Sequence, residues 1–314
     1  MTPSIRHSLI NIAQSVLLIG GMGAIAWACV TAIWGGEAAL WVFAGIGLML
    51  ALSPALPADM MLSLYGARRI EPQQFPEGLA ILNDLARRAE IPDVPTLYYL
   101  PSAMPMAFTT GRGESLAIAL SDGMLRLLNA RELRGVLAHE ISHVAHGDLW
   151  IMRLADVMSR ATTITSYAGQ LLLVLNLPLL LADEAHVPWT AVLLLVFSPT
   201  LTSLLQLALS RTREFSADQG AAQLTGDPAA LASALLKLER TAGRFWEEMV
   251  MPGRRIPAPS VLRTHPRTDD RIARLKALAP DAFRPRPRAE EERLVPRWPM
   301  IENPPRWRRT GVWY

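Results

Sequence analysis

Residues 137–148 have the sequence LAHEISHVAHGD, which contains the pattern HExxH from His139 to His143. Side chains four residues apart lie on the same face of a helix, so both imidazoles can reach a single metal ion. Glu140 projects beside them, where it can take a proton from a water molecule. The spacing therefore predicts a helix that carries a metal site together with a carboxylate base.

The flanking residues support a helix over this stretch. Asn129, with Glu132 three residues later, is a typical helix start, and the helix is predicted to end near His146, where Gly147 follows. An apolar stripe lies on the side opposite the histidines: Leu133, Leu137, Ile141 and Val144. One face is therefore expected to pack in a core while the other faces a polar site. The structural alternative is an exposed helix face with two histidines and a solvated glutamate.

A catalytic zinc site needs a third protein ligand, and the best candidate is Glu214. It lies in residues 211–218, RTREFSAD, which follow a long apolar run. Glu214 and Asp218 are again four residues apart on a predicted helix. The first can bind the metal while the second holds a ligand histidine by its other ring nitrogen. An ordinary charged helix start beside a membrane is the alternative, which explains the arginines but not the pair of carboxylates.

The composition indicates a membrane protein. Of the 314 residues, 51% are hydrophobic and only 19% are charged, against about 25% charged in an average soluble domain. Four stretches without Asp, Glu, Lys or Arg are long enough to cross a bilayer, whose hydrocarbon core is about 30 Å thick: 8–36, 38–58, 161–182 and 187–210. The last two contain prolines and polar residues, so a membrane-embedded hairpin packed against protein is their alternative.

The charged residues predict an orientation and exclude other classes of site. Arginines near the ends of the apolar runs are Arg6, Arg68, Arg69, Arg153, Arg160, Arg211 and Arg213. The short connections carry Glu37, Asp183 and Glu184. By the positive-inside rule, both termini and the middle of the chain are expected in the cytoplasm. The net charge is +3, and the basic residues are spread between acidic residues and not gathered in one block, so no nucleic acid is expected. The single Cys29 excludes a disulfide framework within one chain.

The segment between the second and third apolar runs has the pattern of a mixed helix and strand region. Residues 73–91 are predicted to form an amphipathic helix. Three strands are predicted after it, at Thr96–Leu100, Met106–Thr110 and Ser115–Ser121.

Four segments make this chain similar to a known family. They are Ala107-Phe108-Thr109-Thr110-Gly111, residues 137–148, residues 211–218 and Thr264-His265-Pro266. In this order, and interleaved with apolar pairs, they resemble the HtpX-type membrane zinc endopeptidases, which share a gluzincin core with the CAAX prenyl proteases. The resemblance implies an α-helical integral membrane protein with a cytosolic α+β zinc protease domain. Met106 departs from the family, which commonly has Asn there, and this puts a side-chain hydrogen bond near the substrate cleft in doubt.

The resemblance also implies roles for individual residues. One Zn²⁺ per chain would be held by His139, His143 and Glu214, with Glu140 as general base and Asp218 as the carboxylate behind a ligand histidine. His265, Arg267 or Arg271 would donate a further hydrogen bond to the negatively charged oxygen (the oxyanion) that forms during hydrolysis. The alternative roles for these three residues are helix capping and surface charge. The expected strand for an extended peptide substrate is formed by Ser115, Leu116, Ala117, Ile118 and Ala119, the alternative being a sheet edge without a ligand.

The expected organisation follows from the apolar runs and the motifs. Two transmembrane helices (1–58) precede the first part of the protease domain (59–160), a membrane hairpin (161–210), the second part of that domain (211–283) and a tail rich in Pro, Arg and Trp (284–314). The resemblance implies a bacterial cytoplasmic membrane location and a role in protein quality control. The expected partners are the lipid bilayer and membrane-protein or unfolded polypeptide substrates, and the oligomeric state is not indicated.

Two other functions are compatible with these residues. One is a non-catalytic membrane scaffold in which zinc only stabilises the cytosolic domain. The other is a CAAX-type prenyl-protein protease, a branch that tends to carry more spanning helices. All three need the metal ligands, but a scaffold has no use for Glu140, so this residue separates an enzyme from a scaffold.

Overall fold

The computed structural model describes residues 3–52, 58–175, 177, 188–250, 267–283, 294 and 296. The helices are α1 (Pro3–Leu52), α2 (Ala58–Leu64), α3 (Pro76–Arg88), α4 (Asp122–Leu127), α5 (Ala130–Ala145), α6 (Asp148–Leu175), α7 (Trp189–Thr225), α8 (Pro228–Val250) and α9 (Thr268–Leu278). The strands are β1 (Arg68–Arg69), β2 (Thr96–Leu100), β3 (Ala107–Thr110) and β4 (Ala117–Ser121). The chain divides into two compact units, residues 1–53 with 149–213 and residues 54–148 with 214–314.

The first unit consists of long apolar helices. Helix α1 contains the apolar run expected at 8–36 and residues 38–52 of the next run, with a kink at Gly35, whose φ of 84° favours glycine. In the described part of the chain, Asn11–Leu48 and Trp189–Thr225 are long and apolar enough to cross a membrane. Only 22% of the most apolar part of each stretch is buried, and side chains such as Leu17 and Trp41 are exposed. Such surfaces are typical of contact with lipid.

The second unit is built on a mixed sheet with the strand order β1-β2-β4-β3. Strand β4 is parallel to β2 and antiparallel to β3. The main core lies between this sheet and helices α3, α5 and α8, and its large buried side chains include Leu82, Leu97, Ile118, Leu137 and Ile141. A smaller cluster joins α2 to the sheet, with Leu62, Tyr98 and Ala119. The apolar side of the helix that carries the histidines is therefore part of the same core as the sheet.

The order of the strands corrects one expectation. Residues 115–119 were expected to form an edge strand, but β4 pairs with a neighbour on both sides and each of its residues is buried. Ser115 lies in a 3₁₀ turn, Gly113–Ser115, before the strand begins. An apolar run of this kind fits a strand inside a sheet, because such strands are covered on both faces. Among the described residues, β3 has only β4 as a partner, so β3 is the edge strand on this side.

Helix α5 forms as its sequence predicts. The side chain of Asn129 accepts a hydrogen bond from the backbone N–H of Glu132, and the Glu132 side chain accepts one from the backbone N–H of Asn129. Glu132 also accepts hydrogen bonds from Ser233 (2.6 Å) and Lys237 (2.7 Å) of α8. A Cβ at Gly135 would come within 3.1 Å of the Leu231 backbone, so glycine allows α5 and α8 to approach closely. These contacts hold the HExxH helix firmly within the unit.

Candidate metal centre

Helices α5 and α7 bring three possible metal ligands together. The Nε2 atoms of His139 and His143 are 3.1 Å apart. Glu214 Oε2 is 3.5 Å from His139 Nε2, and Glu214 Oε1 is 3.8 Å from His143 Nε2. A tetrahedral zinc with bonds of ~2.0–2.1 Å places its ligand atoms about 3.3 Å from one another. The distances and the donor types of this cluster therefore fit a zinc ion.

Each of the two imidazoles has a carboxylate at its other ring nitrogen. Asp218 Oδ1 is 3.1 Å from His139 Nδ1, and Asp148 Oδ2 is 2.8 Å from His143 Nδ1. Both carboxylates are buried. A carboxylate at Nδ1 accepts the N–H of that nitrogen and leaves Nε2 for a metal, which is the usual arrangement behind histidine ligands. Asp218 thus has the position expected from sequence.

Asp148 was not singled out from sequence as a site residue. It follows Gly147, whose left-handed φ of 67° ends the regular helix after α5. A residue that lies five positions after His143 thus contacts its imidazole. The signal in the sequence was the Gly-Asp pair directly after the predicted helix end.

Arg271 of α9 lies within the same cluster. Its Nε donates to Asp218 Oδ2 (2.7 Å) and its Nη2 donates to Asp218 Oδ1 (2.6 Å). Its Nη1 is 3.3 Å from Glu214 Oε2. Only 9% of the Arg271 side chain is exposed. Its buried positive charge balances the negative charges of the Asp218 and Glu214 carboxylates, which lie next to it.

The pKa values of the cluster reflect these contacts. Burial by itself lowers the pKa of His139, but hydrogen bonds to Asp218 and Glu214 outweigh it and raise this pKa to about 9. Burial raises the pKa of Asp218, whereas Arg271 and His139 lower it more strongly, so its net shift is downward. Asp218 is consequently ionised near neutral pH. A metal at His139 Nε2 competes with a proton, since a ligand imidazole must be neutral.

Glu140 also has a defined partner. Thr109 of β3 donates a hydrogen bond from its hydroxyl to Glu140 Oε2, at 2.7 Å. Both side chains are partly buried. Thr109 belongs to one of the segments that carry the family resemblance, but sequence reasoning assigned it no role of its own.

The remaining predicted residues lie elsewhere. Arg267 is the exposed residue directly before α9. His265 lies outside the described residues, as do most of residues 284–314. Ala117, Ile118 and Ala119 are in the interior strand β4, where their backbone groups already pair with other strands.

Comparison with known proteins gives the family. The model of peptidase family M48 matches residues 72–279. The chain belongs to this family. A protease HtpX homologue of Methylibium petroleiphilum is 32% identical over 291 residues, which cover 87% of this chain and 99% of the relative. A protease HtpX homologue of Bifidobacterium longum is 35% identical over 296 residues, covering 87% and 94%.

The relatives confirm the resemblance that the four sequence segments indicated, and this M48 peptidase is an HtpX-type protease. Membership in a peptidase family favours an enzyme over a scaffold. The HtpX relatives likewise do not favour a CAAX-type prenyl-protein protease. Among solved structures, that of Ste24p from S. mikatae is similar, with a TM-score of 0.43 and 18% identity, over 86% of this chain and 66% of that chain.

Proposed function

We propose that this M48 peptidase is a membrane-bound endopeptidase with one zinc ion per chain, held by His139, His143 and Glu214. The observation that carries the proposal is that one ligand atom from each of these residues lies within 4.8 Å of the others, directly beside Glu140. The third ligand is 71 positions after His143 in sequence, so only the fold can bring it to the histidines. Three protein ligands are the number used by catalytic zinc sites, which keep a fourth position open.

The residues around the metal have separate roles in this proposal. Zinc, when bound, supplies Lewis acidity toward the substrate carbonyl and lowers the pKa of water. Glu140 accepts the proton of the attacking water and passes it to the leaving amine. Asp218 and Asp148 hold the two imidazoles in the orientation that ligation needs. Arg271 keeps Asp218 ionised and in place. The donor that would stabilise the negatively charged oxygen of the transition state stays a prediction, and the sequence offers His265, Arg267 and Arg271 for it.

The edge of the sheet provides a place for an extended substrate. We propose that the peptide pairs with β3 (Ala107–Thr110), because in the described part of the chain β3 is the last strand of the sheet and pairs with β4 only. Thr109 on the same strand contacts Glu140, so a peptide along β3 would pass beside the proposed base. The substrates we propose are membrane proteins and unfolded polypeptides, in protein quality control.

The proposed location is the bacterial cytoplasmic membrane, with the unit that contains the metal cluster on the cytoplasmic side. Two long apolar helices support a membrane location. The distribution of arginines at the ends of the apolar runs supports the orientation. The lipid bilayer is accordingly the one partner proposed besides the substrates.

Proteolysis by the purified protein tests the proposed function. In detergent, the protein is expected to cleave a membrane protein and an unfolded polypeptide, and 1,10-phenanthroline is expected to abolish the cleavage because it removes the Lewis acid. Added zinc should restore it. Cleavage that continues at full rate after chelation would contradict the metal mechanism, and activity confined to a prenylated C-terminal peptide would favour the CAAX-type alternative.

Cysteine labelling tests the orientation. On a Cys29→Ala background, Arg68→Cys and Arg112→Cys introduce thiols at exposed positions. A membrane-impermeant maleimide is expected to label both only after the cytoplasmic membrane is opened, because these positions are assigned to the cytoplasm. Asp183→Cys, in a short connection, should react in intact spheroplasts and serves as the control. Labelling of residue 68 in intact spheroplasts would overturn the orientation.

A further inference from the structure

The hydroxyl of Thr109 and the carboxylate of Glu140 form a side-chain hydrogen bond between β3 and α5. The oxygen atoms are 2.7 Å apart, which is the usual distance for a well-formed O–H···O hydrogen bond. The two residues are 31 positions apart in sequence. The contact is therefore made by the fold and not by local chain geometry.

Both partners are held by rigid elements. Thr109 lies opposite Ile118 in the antiparallel pairing of β3 with β4, and a β-branched side chain has few χ1 rotamers. Glu140 lies on α5 between His139 and Ile141, both of which are buried. The backbone at both positions is therefore held in place, and the Thr109 hydroxyl has few orientations, whereas the longer Glu140 side chain is the part that the bond orders. The bond can consequently define the direction of the carboxylate.

We propose that Thr109 is a positioning residue for the general base. Its hydroxyl engages Oε2 of Glu140 and so presents Oε1 to the water that is to be deprotonated. A glutamate has three side-chain torsions, and without a partner its carboxylate samples several orientations. This inference rests on the proposed function, because it assigns the orientation of a base whose catalytic role is itself proposed.

The position of Thr109 on β3 strengthens the inference. β3 is the strand along which we place the substrate, so the same strand that aligns the peptide also aligns the base. A proton transfer depends steeply on geometry, and small displacements of reacting groups cost one to two orders of magnitude in rate. Loss of the hydroxyl should therefore reduce the rate of the chemical step more than the binding of substrate.

Three variants test this role. Thr109→Val has nearly the same shape but no hydroxyl, and its kcat is expected to fall roughly 10- to 100-fold with KM within about twofold of wild type. Thr109→Ser keeps the donor and should retain kcat within about threefold. Thr241→Val, which removes a hydroxyl bonded to the Lys237 carbonyl in α8, is the matched control and should behave as wild type. Zinc content and melting temperature are expected to be unchanged in all three variants.

The outcomes separate this role from others. A Thr109→Val enzyme with wild-type kcat, or one impaired only in KM, would overturn the positioning role. An equal loss in Thr109→Ser would also overturn it, since the hydroxyl would not be the group that matters. Loss of zinc or a large fall in melting temperature in Thr109→Val would assign the residue a structural role instead. Glu140→Gln, measured in parallel, distinguishes failure of this inference from failure of the proposed base: a fully active Glu140→Gln enzyme refutes the base itself.

Discussion

Glu140→Gln is expected to reduce proteolysis by on the order of 10²–10⁴-fold or more while the zinc content stays near one per chain. The change keeps the size of the side chain and its capacity to accept the hydrogen bond from Thr109, but it removes the proton acceptor. Glu140 is outside the three-ligand cluster of His139, His143 and Glu214. The metal site should therefore survive the substitution.

Cleavage rate, metal analysis and thermal denaturation of the same preparation make this experiment decisive. Glu132→Gln, also on α5, is unsuitable as a control because Glu132 is buried and bonded to α8. Glu114→Gln changes an exposed glutamate and should leave the rate unchanged. A Glu140→Gln protein that cleaves at the wild-type rate would refute the base role and would revive a scaffold function for the metal site.

Removal of any one metal ligand is expected to lower bound zinc from about one per chain to below about 0.1, because two ligands cannot retain the ion against dilution or competing chelators. The variants are His139→Ala, His143→Ala and Glu214→Ala. His146→Ala is the control, since this exposed histidine at the end of the same helix bonds to the Ser142 carbonyl through Nδ1 (2.7 Å). Elemental analysis of protein purified without added metal measures the effect.

The ligand variants should also lose proteolysis, since the chemistry depends on the ion. Unchanged zinc in all three would show that the cluster is not the metal site. Loss of zinc in the His146→Ala control as well would mean that the end of α5, and not the ligand set, determines metal retention. The three variants and the control thus test the ligand set directly.

The helix that carries the motif was predictable from sequence because its signals are local. The capping pair Asn129 and Glu132 and the apolar stripe lie within the helix itself or directly before it. The i, i+4 spacing places His139 and His143 on one face in any α-helix. Glu214 and Asp218 followed from the same spacing, and the structure brings both to the two histidines.

The order of strands was not predictable in the same way. The apolar segment that ends at Ser121 was assigned to the sheet edge, whereas β4 lies between two other strands. Strand position depends on pairing with residues distant in the chain, and an apolar run does not specify its neighbours. That β3 is the edge strand follows only from the order of all four strands in the folded sheet.

Contacts across elements account for the other residues that sequence reasoning missed. Thr109 reaches Glu140 from strand β3, and Asp148 reaches His143 from beyond the helix end, after the left-handed Gly147. Of the three candidate oxyanion donors, His265 lies outside the described residues and Arg267 is exposed, whereas Arg271 is buried and bonded to Asp218. None of these contacts has a fixed sequence spacing.

By itself, the sequence determined the helix of the HExxH motif, the pairs of residues that share a helical face, the apolar runs and the family. These properties depend on period and composition, which are set by neighbouring residues. The tertiary structure alone decided that the ligand atoms of His139, His143 and Glu214 converge within 4.8 Å, that β3 is the edge strand, and that Thr109, Asp148 and Arg271 contact the site. Convergence of residues from separate elements depends on how those elements pack, because packing energy is shared among many contacts and no single segment encodes it.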